Sequence, residues 1–502
     1  MTSLNNALNF IERNGNRLPH PTALFLYLCA IIICTSWLFN LIGSSALHPI
    51  TGTEIAARSL ISRDGLHFIL ENTVTNFVNF APVGSVLVAM LGIGIAEHSG
   101  LIGSVLRATV LRAPKQLTTF FVVTTSVLSS IALDTGYVVL IPLAGLVFKA
   151  LGRNPLAGIV AAFAGVSGGF SANILIGPLD AILAGISTEA AHIIEPAYTV
   201  DATGNYYFIV ASTLLIGVVG TFVTEKIVTH WLPEPEMENS NTIEKIEGEK
   251  QGLLAAGVVT AIFVFGILLG TLPEGGFLRN PDTGSVLRSP FISGIVVIIT
   301  FYAACAGWAF AKFSGNDCSS GFLVTAMEKH MATMVAYIVM MFFAAQFVSY
   351  FSWSQLGSIL AIRGADLLTW FDLPKPILLL CFILVTATIN LFIGSSSAKW
   401  ALIAPIFVPM LLLLGISPEA TQMAYRIGDS TTNIITPLMP YFGVVVAFSQ
   451  QYKKDIGIGT LISLMLPYSI MFFLSWCALL LLWLLLDLPL GPDAYVFTSH
   501  SN

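Results

Sequence analysis

Charged residues are scarce in this 502-residue chain. Only 10% of its residues are Asp, Glu, Lys or Arg, whereas a soluble globular protein carries roughly a quarter. Hydrophobic residues make up 55%, and the mean hydropathy is +0.83. This composition excludes a soluble domain, and its long apolar runs are typical of membrane helices. We therefore expect an all-α polytopic membrane protein.

The motifs of common enzymes and metal sites are also missing. The chain has six cysteines but no CxxC pair, and none of its eight histidines lies in a spaced cluster with acidic residues. It contains no HExxH or P-loop motif. We expect no enzymatic activity, no bound cofactor and no nucleic-acid partner.

Seven apolar runs are suited to a single crossing of the bilayer, which takes about 20 residues. They are 22–42, 73–97, 207–227, 251–271, 291–311, 331–352 and 457–486.

Two further runs, 116–151 and 375–414, are too long for one span. Small polar residues interrupt both of them, at Ser129-Ser130 and 134–136 in the first and at 394–397 in the second. Positive charge at both ends of the first run places both ends on one side of the membrane. We expect each run to form a re-entrant helical hairpin.

A broken span follows each hairpin, at 155–186 and 418–449. The predicted breaks are 165–169 in the first and 428–433 in the second, and both consist largely of Gly, Ser, Thr and Asn. Unpaired backbone groups cost several kcal/mol in hydrocarbon, so such breaks persist where they line a cavity or a ligand site. Short extramembrane loops are the alternative.

These assignments give nine spans and two hairpins. If the amino terminus is cytoplasmic, most of the 22 Lys and Arg residues lie on that side and the carboxyl terminus lies outside. The predicted regions are 1–114 (spans 1–2), 115–186 (first transport-core unit), 187–374 (spans 4–7 and loops, supporting the core and the dimer), 375–449 (second unit) and 450–502 (last span and tail).

The two hairpin-plus-span units share a register at an offset of 263 residues, the difference between positions 142 and 405. At this offset Pro142, Gly152, Pro155 and Gly165 align with Pro405, Gly415, Pro418 and Gly428. Five spans lie between the first hairpin and the second, namely the broken span 155–186 and the four spans that follow it, so the two units enter the membrane from opposite faces. Inverted repeats of discontinuous helices are typical of secondary transporters; coincidental spacing of helix breakers is the alternative.

Asp429 is the principal candidate for a coupling-ion ligand, because an intramembrane carboxylate usually faces a cavity or an ion. Asn390, Ser395, Ser396 and Thr432 would complete an oxygen-rich set of the kind that sodium, a hard cation, prefers. Asp429 could instead carry a proton, or simply pair with Arg426.

The first unit offers a similar set. Asp134 is a tentative cation ligand and Asn173 a candidate substrate contact, with Ser129, Ser130 and Ser167 nearby in sequence. Asp180 lies just past the first break, where a helix cap or an ion pair at the outer rim is the alternative to substrate binding.

Arg426 and Lys399 indicate an anionic substrate, since a carboxylate suits a guanidinium and the N-termini of broken helices. Lys399 could instead extend to the membrane interface. Trp400 either stacks on an aromatic ring of the substrate or only packs. Pro418 fits a helix start better than a ligand contact.

Several long motifs resemble the p-aminobenzoyl-glutamate transporter (AbgT) family. They include RNGNRLPHP, AGVSGGFSANILI, GSSSAKWALIAPIFVPMLLLLG and RIGDSTTNIITPLMPYF, and the resemblance runs nearly end to end. It implies a dimer with nine transmembrane helices and two hairpins per protomer. It also implies functional roles for Asp180, Trp400, Pro418 and Arg426, with Asn390 and Asp429 near the ion.

We therefore expect secondary active transport across the bacterial inner membrane. The expected substrates are aryl-glutamates such as p-aminobenzoyl-glutamate, sulfonamide antimetabolites, or both, and a sodium or proton gradient would drive their movement. The partners would be this anionic aromatic molecule, membrane lipid and a second copy of the chain. A cation channel with the broken helices as its filter is the alternative.

Overall fold

The computed structural model describes residues 21–47, 52–111, 113–132, 136–232, 248–286, 289–315, 321–436, 439, 441–454 and 456–498. These residues are mostly helical. They include one small antiparallel sheet, in which Ser45–Leu47 (β1) pairs with Glu54–Ala56 (β2) so that Ser45 lies opposite Ala56.

The helices of the first half are α1 Pro21–Ile42, α2 Arg63–Val78, α3 Ala81–His98, α4 Leu101–Leu111, α5 Thr118–Leu128, α6 Ile141–Ala150, α7 Pro155–Phe163, α8 Pro178–Ala191, α9 Tyr206–Val223 and α10 Thr229–Trp231. Those of the second half are α11 Glu249–Thr271, α12 Pro290–Ser293, α13 Ile295–Phe313, α14 Phe322–Thr333, α15 Val335–Trp353, α16 Leu356–Trp370, α17 Lys375–Asn390, α18 Ser396–Leu413, α19 Pro418–Asn433, α20 Phe442–Gln450 and α21 Ile458–Leu485.

Within the described ranges, seven helices are long and apolar enough to cross a membrane. The number rises to nine if each of two bent pairs counts as one span. The pairs are α3 with α4, bent by 62°, and α16 with α17, bent by 119°. The predicted polytopic helical architecture is thus present.

The predicted second span, 73–97, is wrong in its bounds. Two helices, α2 and α3, cover this stretch and are separated at Asn79 and Phe80. Pro82 explains the interruption, because proline lacks an N–H group and disfavours helical backbone at the residue before it. It lies in the first turn of α3, where the missing N–H costs nothing. Helix α16 is a further difference, since no helix was predicted between 352 and 375.

Both overlong apolar runs are interrupted near the predicted positions. In the first, α5 continues into a 3₁₀ turn at Ser129–Ala132, and a π-helical turn at Gly136–Leu140 leads into α6. Asp134 and Thr135 lie outside the described residues. In the second run, α17 ends at Asn390 and α18 begins at Ser396, where the hydroxyl of Ser395 accepts a hydrogen bond from the Ala398 N–H.

The second broken span differs from the prediction in where it breaks. Residues 428–433 are helical and form the last turns of α19, and the helix ends only after Asn433. Hydroxyl side chains fit this helix because they bond to the preceding turn. Thr431 donates to the Ile427 carbonyl at 2.7 Å and Thr432 to the Gly428 carbonyl at 2.9 Å. In the first span the predicted 165–169 break is largely a π turn, Ala164–Gly168, and non-helical chain follows it up to α8.

Paired positions of the two units share local structure. Gly152 and Gly415 have left-handed backbone, with φ of +70° and +74°, just after α6 and α18. Pro155 and Pro418 occupy the first turns of α7 and α19. The preceding residues, Asn154 and Ser417, cap these helices through their side chains, as is usual at helix starts. Pro142 and Pro405 differ, since Pro142 lies at the start of α6 and Pro405 lies inside α18.

Gly165 and Gly428 each allow close contact with an earlier helix of the same unit. A Cβ on Gly165 would lie 2.5 Å from the Val123 carbonyl oxygen on α5. A Cβ on Gly428 would collide with Thr386 Oγ1 on α17. In both cases the nearest neighbour precedes the glycine by 42 residues, the difference between 165 and 123 and between 428 and 386. Only glycine permits backbones to approach this closely.

The two units also contact each other. The Ser171 N–H donates to Ser430 Oγ at 3.1 Å, and Tyr137 stacks on Tyr441 with ring centroids 4.3 Å apart. The Ser167 hydroxyl donates to the sulfur of Met439 at 2.9 Å. Polar segments from both units therefore lie together inside the protein.

Candidate functional site

Asp429 forms a buried ion pair with Lys399. Its Oδ1 lies 2.5 Å from the Lys399 ammonium nitrogen, and neither side chain is exposed to solvent. Its Oδ2 accepts a hydrogen bond from Ser396 Oγ at 3.0 Å, and the Tyr425 hydroxyl lies 3.3 Å from Oδ1. Two residues in the first turn of α18, Ser396 and Lys399, thereby hold the carboxylate on α19.

Asn390 connects the end of α17 to the same site. Its side-chain amide donates to the Asp429 carbonyl at 2.5 Å and to Thr432 Oγ1 at 2.8 Å, and its Oδ1 accepts a hydrogen bond from the Lys399 ammonium. The predicted ligands Asn390, Ser396 and Thr432 therefore surround Asp429. Their role as sodium ligands stays a prediction.

The ammonium of Lys399 contacts two oxygens of this set, Asp429 Oδ1 and Asn390 Oδ1. Membrane-interface placement of Lys399 is wrong, because its side chain is completely buried. The alternative pairing of Asp429 with Arg426 is also wrong, since Lys399 is its partner. Ser395, a further predicted ligand, caps α18. A hard cation could use these oxygens only if the ammonium moved away, because two positive charges this close repel strongly.

Arg426 forms the second buried ion pair, with Asp180 of α8. Its Nη2 donates to Asp180 Oδ1, and the two side chains are 3% and 7% exposed. Asp180 Oδ2 accepts the Gly177 N–H at 2.7 Å, so the carboxylate also caps its own helix. Both interactions proposed as alternatives at Asp180 are present, but the pair is buried and does not lie at an exposed rim. Arg426 Nε has no hydrogen-bond partner among the described residues.

Trp400 packs between the two units. Its ring stacks on Tyr425 with centroids 4.6 Å apart and an interplanar angle of 28°. Its indole N–H donates to Ser187 Oγ at 3.0 Å and lies 3.2 Å from the Leu183 carbonyl, both on α8. Trp400 thus ties α18 to α8 and α19 beside both ion pairs.

The substitution Trp400→Phe is expected to destabilise the protein by about 1 kcal/mol, because it removes one hydrogen-bond donor and keeps a ring against Tyr425. Trp400→Ala should cost about 3–5 kcal/mol, since it leaves a cavity in a fully buried position. Thermal unfolding of the purified variants in one detergent measures the difference. Equal losses of stability in Trp400→Phe and Trp400→Ala would contradict the stabilising contribution assigned to packing of the ring.

The remaining predicted residues have clear local contacts. Asn173 joins the first break to the first hairpin, as its amide donates to Ser130 Oγ at 2.9 Å. Its Oδ1 accepts the backbone N–H groups of Ile174 and Leu175. Pro418 occupies the first turn of α19, which agrees with its interpretation as a helix-start residue. Their contacts with substrate stay predictions.

Sequence reasoning identified Arg426 and Asp429 on α19 but missed the polar residues that share their face of the helix. Glu419, Gln422, Arg426, Asp429, Ser430 and Asn433 are all at most 6% exposed. At 3.6 residues per turn they lie within about 100° of arc, so they form one stripe along the helix. Because α19 is buried, the polar groups of this stripe need hydrogen-bonding or ionic partners elsewhere inside the protein. The helical spacing of these residues was the available signal, but a predicted break at 428–433 hid it.

Some of these residues have partners on other elements. The Tyr198 hydroxyl donates to Glu419 Oε2 at 2.8 Å, and the Asn205 amide donates to Gln422 Oε1. In the part of the chain that the structure describes, no group of three or more His, Cys, Asp or Glu side chains could hold a metal ion. The polar groups here are arranged in pairs of opposite charge and in hydrogen-bonded amides, and such a site can exchange internal partners for an incoming ion or acid.

Comparisons with known proteins agree with this architecture. Residues 6–498 match the model of a family described as the "AbgT putative transporter family". The p-aminobenzoyl-glutamate transport protein of Escherichia coli (strain K12) is 37% identical over 487 residues, which cover 97% of this chain and 96% of that protein.

Two solved structures are similar along nearly their full length. The YdaH transporter of Alcanivorax borkumensis is 51% identical with a TM-score of 0.91, covering 94% of this chain and 100% of that one. MtrF of Neisseria gonorrhoeae, whose structure illuminates a class of antimetabolite efflux pumps, is 46% identical with a TM-score of 0.91, covering 97% and 99%. This multi-pass membrane protein therefore belongs to the AbgT family of transporters.

Proposed function

We propose that this protein is a secondary transporter of aryl amides of glutamate, such as p-aminobenzoyl-glutamate, and of sulfonamide antimetabolites. A sodium or proton gradient would drive the transport. The observation that carries the proposal is the presence of two buried ion pairs on one helix, Lys399–Asp429 and Asp180–Arg426. Buried charges are costly unless they are paired, so a site that keeps two such pairs is suited to binding ions in their place.

Arg426 is the proposed contact for a carboxylate of the substrate. A guanidinium has five N–H donors, and Nη2 of Arg426 already donates a hydrogen bond to Asp180. The unpartnered Nε leaves a donor for a second acid. A glutamate carboxylate bound here would keep the guanidinium paired when Asp180 moves. The substrate ring would lie near Trp400, whose side chain contacts α8 and α19, the helices that carry Asp180 and Arg426.

Asp429 is the proposed contact for the coupling cation. Neutral oxygen atoms around it come from Asn390, Ser396 and Thr432. The Lys399 ammonium provides a cation that is part of the protein itself. We propose that sodium and the Lys399 ammonium bind in alternation, so that the carboxylate always has a cation. Carriage of a proton by Asp429 is the other form of coupling that this site allows.

The proposed assembly is a homodimer in the bacterial inner membrane. Each protomer would have nine spans and two hairpins, a cytoplasmic amino terminus and an outer carboxyl terminus. The two hairpin-plus-span units would be inverted repeats. The left-handed glycines 152 and 415 and the close helix contacts at Gly165 and Gly428 support this correspondence. Inverted repeats let a carrier open to either side around a central site.

Transport can be tested with purified full-length protein in liposomes. Labelled p-aminobenzoyl-glutamate would be supplied with an imposed sodium gradient in one arm and a proton gradient in another. We expect saturable transport that depends on one of the gradients. Flux that neither saturates nor responds to either gradient would instead favour a channel.

Arg426→Lys is expected to raise the KM for p-aminobenzoyl-glutamate about tenfold to hundredfold with a smaller change in kcat. The variant keeps the charge but loses the planar set of donors that binds a carboxylate. Arg107→Lys is the matched control, because Arg107 forms a partly exposed ion pair with Glu249 at 3.1 Å. An unchanged KM in Arg426→Lys would contradict the assigned carboxylate contact.

A further inference from the structure

The side chains of Asn205 and Gln422 form an amide pair next to the proposed site. Asn205 lies at the start of α9 and Gln422 on α19, and the Asn205 Nδ2 donates to Gln422 Oε1. The two residues are 2% and 3% exposed. Each side chain carries two hydrogen-bonding ends, and this contact uses only one end of each.

The other ends are buried without partners. Asn205 Oδ1, an acceptor, and Gln422 Nε2, a donor, have no hydrogen-bond partner among the described residues. Turning both amides round would reverse the direction of the bond between them. It would still leave one donor and one acceptor free, with the donor then on Asn205 and the acceptor on Gln422, so the presence of both free groups does not depend on how oxygen and nitrogen are assigned. Unsatisfied buried polar atoms are rare in proteins and call for an explanation.

The free donor and acceptor lie beside Arg426. Gln422 precedes Arg426 by one helical turn on the same stripe of α19, which places their Cβ atoms about 6 Å apart. Arg426 Nε likewise has no hydrogen-bond partner in the described part of the chain. Tyr425, the neighbour of Arg426 in sequence, stacks on Trp400. Free hydrogen-bonding groups and an aromatic surface thus share one short segment of α19.

We propose that Asn205 and Gln422 recognise the amide bond between the aryl group and the glutamate of the substrate. Gln422 would donate to the amide carbonyl, and Asn205 would accept the amide N–H. The α-carboxylate is joined to that N–H through a single carbon, so it would reach Arg426 one turn further along α19. This inference rests on the proposed transport of aryl-glutamates.

The same pair suits a sulfonamide. A sulfonamide joins an acceptor, the S=O oxygen, to a donor, the adjacent N–H, and so carries the same two kinds of group as an amide. One pair of protein groups can therefore serve two classes of substrate whose acidic parts differ. An ester in which oxygen replaces the amide nitrogen lacks the N–H, and it would leave the acceptor of the pair buried and unsatisfied.

The test compares p-aminobenzoyl-glutamate with its ester analogue. Binding of each to the purified full-length protein would be measured by calorimetry. We expect the wild-type protein to prefer the amide about tenfold to hundredfold, because an unpaired buried group is costly. The Asn205→Leu/Gln422→Leu double variant should bind the amide more weakly and should lose most of this preference, since it removes both polar partners together.

A matched control is available elsewhere in the chain. Asn76 on α2 donates to Gln346 Oε1 on α15 at 3.0 Å, and a second bond from Gln346 to the Thr73 carbonyl uses its other end. Asn76→Leu/Gln346→Leu should leave the preference for the amide unchanged.

Two results would overturn the inference. The first is equal binding of amide and ester by the wild-type protein, which needs no variant and so does not depend on folding. The second is an unchanged preference in the Asn205→Leu/Gln422→Leu variant, which would show that the pair binds only a bridging water. Failure of the wild-type protein to bind or transport p-aminobenzoyl-glutamate at all would count instead against the proposed function.

Discussion

Lys399→Met is expected to abolish gradient-driven transport and to destabilise the protein by about 3–5 kcal/mol. The substitution leaves the Asp429 carboxylate buried without its ionic partner, and removal of one member of a buried pair costs about this much. Transport fails in addition because the proposed alternation between ammonium and coupling cation loses one of its members. Uptake into liposomes and thermal unfolding in detergent measure the two effects.

The double substitution Lys399→Met/Asp429→Leu separates charge from packing. It removes both charges at once, so we expect it to recover most of the stability while transport remains absent. Arg107→Met is the control for loss of a positive charge at a pair that is 22% and 20% exposed. That variant should lose at most about 1 kcal/mol. Wild-type stability and transport in Lys399→Met would refute the role assigned to this ion pair.

Gly428→Ala is expected to remove most transport activity and to destabilise the protein by about 1–3 kcal/mol. The new Cβ would lie 2.6 Å from the Ile383 carbonyl oxygen and 2.8 Å from the Ala387 nitrogen, so α17 and α19 would be forced apart. This displacement would separate Asn390 from Asp429 and Thr432. Transport assays together with unfolding measurements test the prediction.

Gly443→Ala is a matched control, because Gly443 also lies in a helix, α20, and a Cβ there would have no heavy atom of the described residues within 4 Å. We expect little change in that variant. Thr386→Ala should not rescue Gly428→Ala, since backbone atoms of α17 remain in the way after the Thr386 hydroxyl is gone. Full activity of Gly428→Ala would mean that α17 and α19 separate easily, contrary to their close contact.

The interrupted apolar runs were predictable because length and composition constrain them strongly. A run of some forty apolar residues must turn back within the membrane, and small polar residues mark the turn. The tip that precedes Ser396 and the caps at Asn154 and Ser417 follow from such local rules. The boundaries at Pro82 and at 428–433 were harder to predict, since neighbouring helices can stabilise either a break or a continuous helix.

The partners of the charges could not be predicted in the same way. Arg426 and Asp429 are three residues apart on α19, a spacing that brings side chains together on a helix. In the folded protein each has a partner on another element, Asp180 on α8 and Lys399 on α18. Tertiary contacts thus replaced a plausible local pair by two long-range pairs.

Apolar length and helix-breaking residues act locally, so the amino-acid sequence was enough to predict a helical membrane protein with two interrupted apolar runs and a polar segment around Asp429. The packing of the helices was needed to place the Lys399 ammonium against Asp429, and to leave Arg426, Asn205 and Gln422 with groups that have no hydrogen-bond partner among the described residues. The partner of a buried charge depends on which helices pack together, and close contacts such as that at Gly428 bring those helices into place.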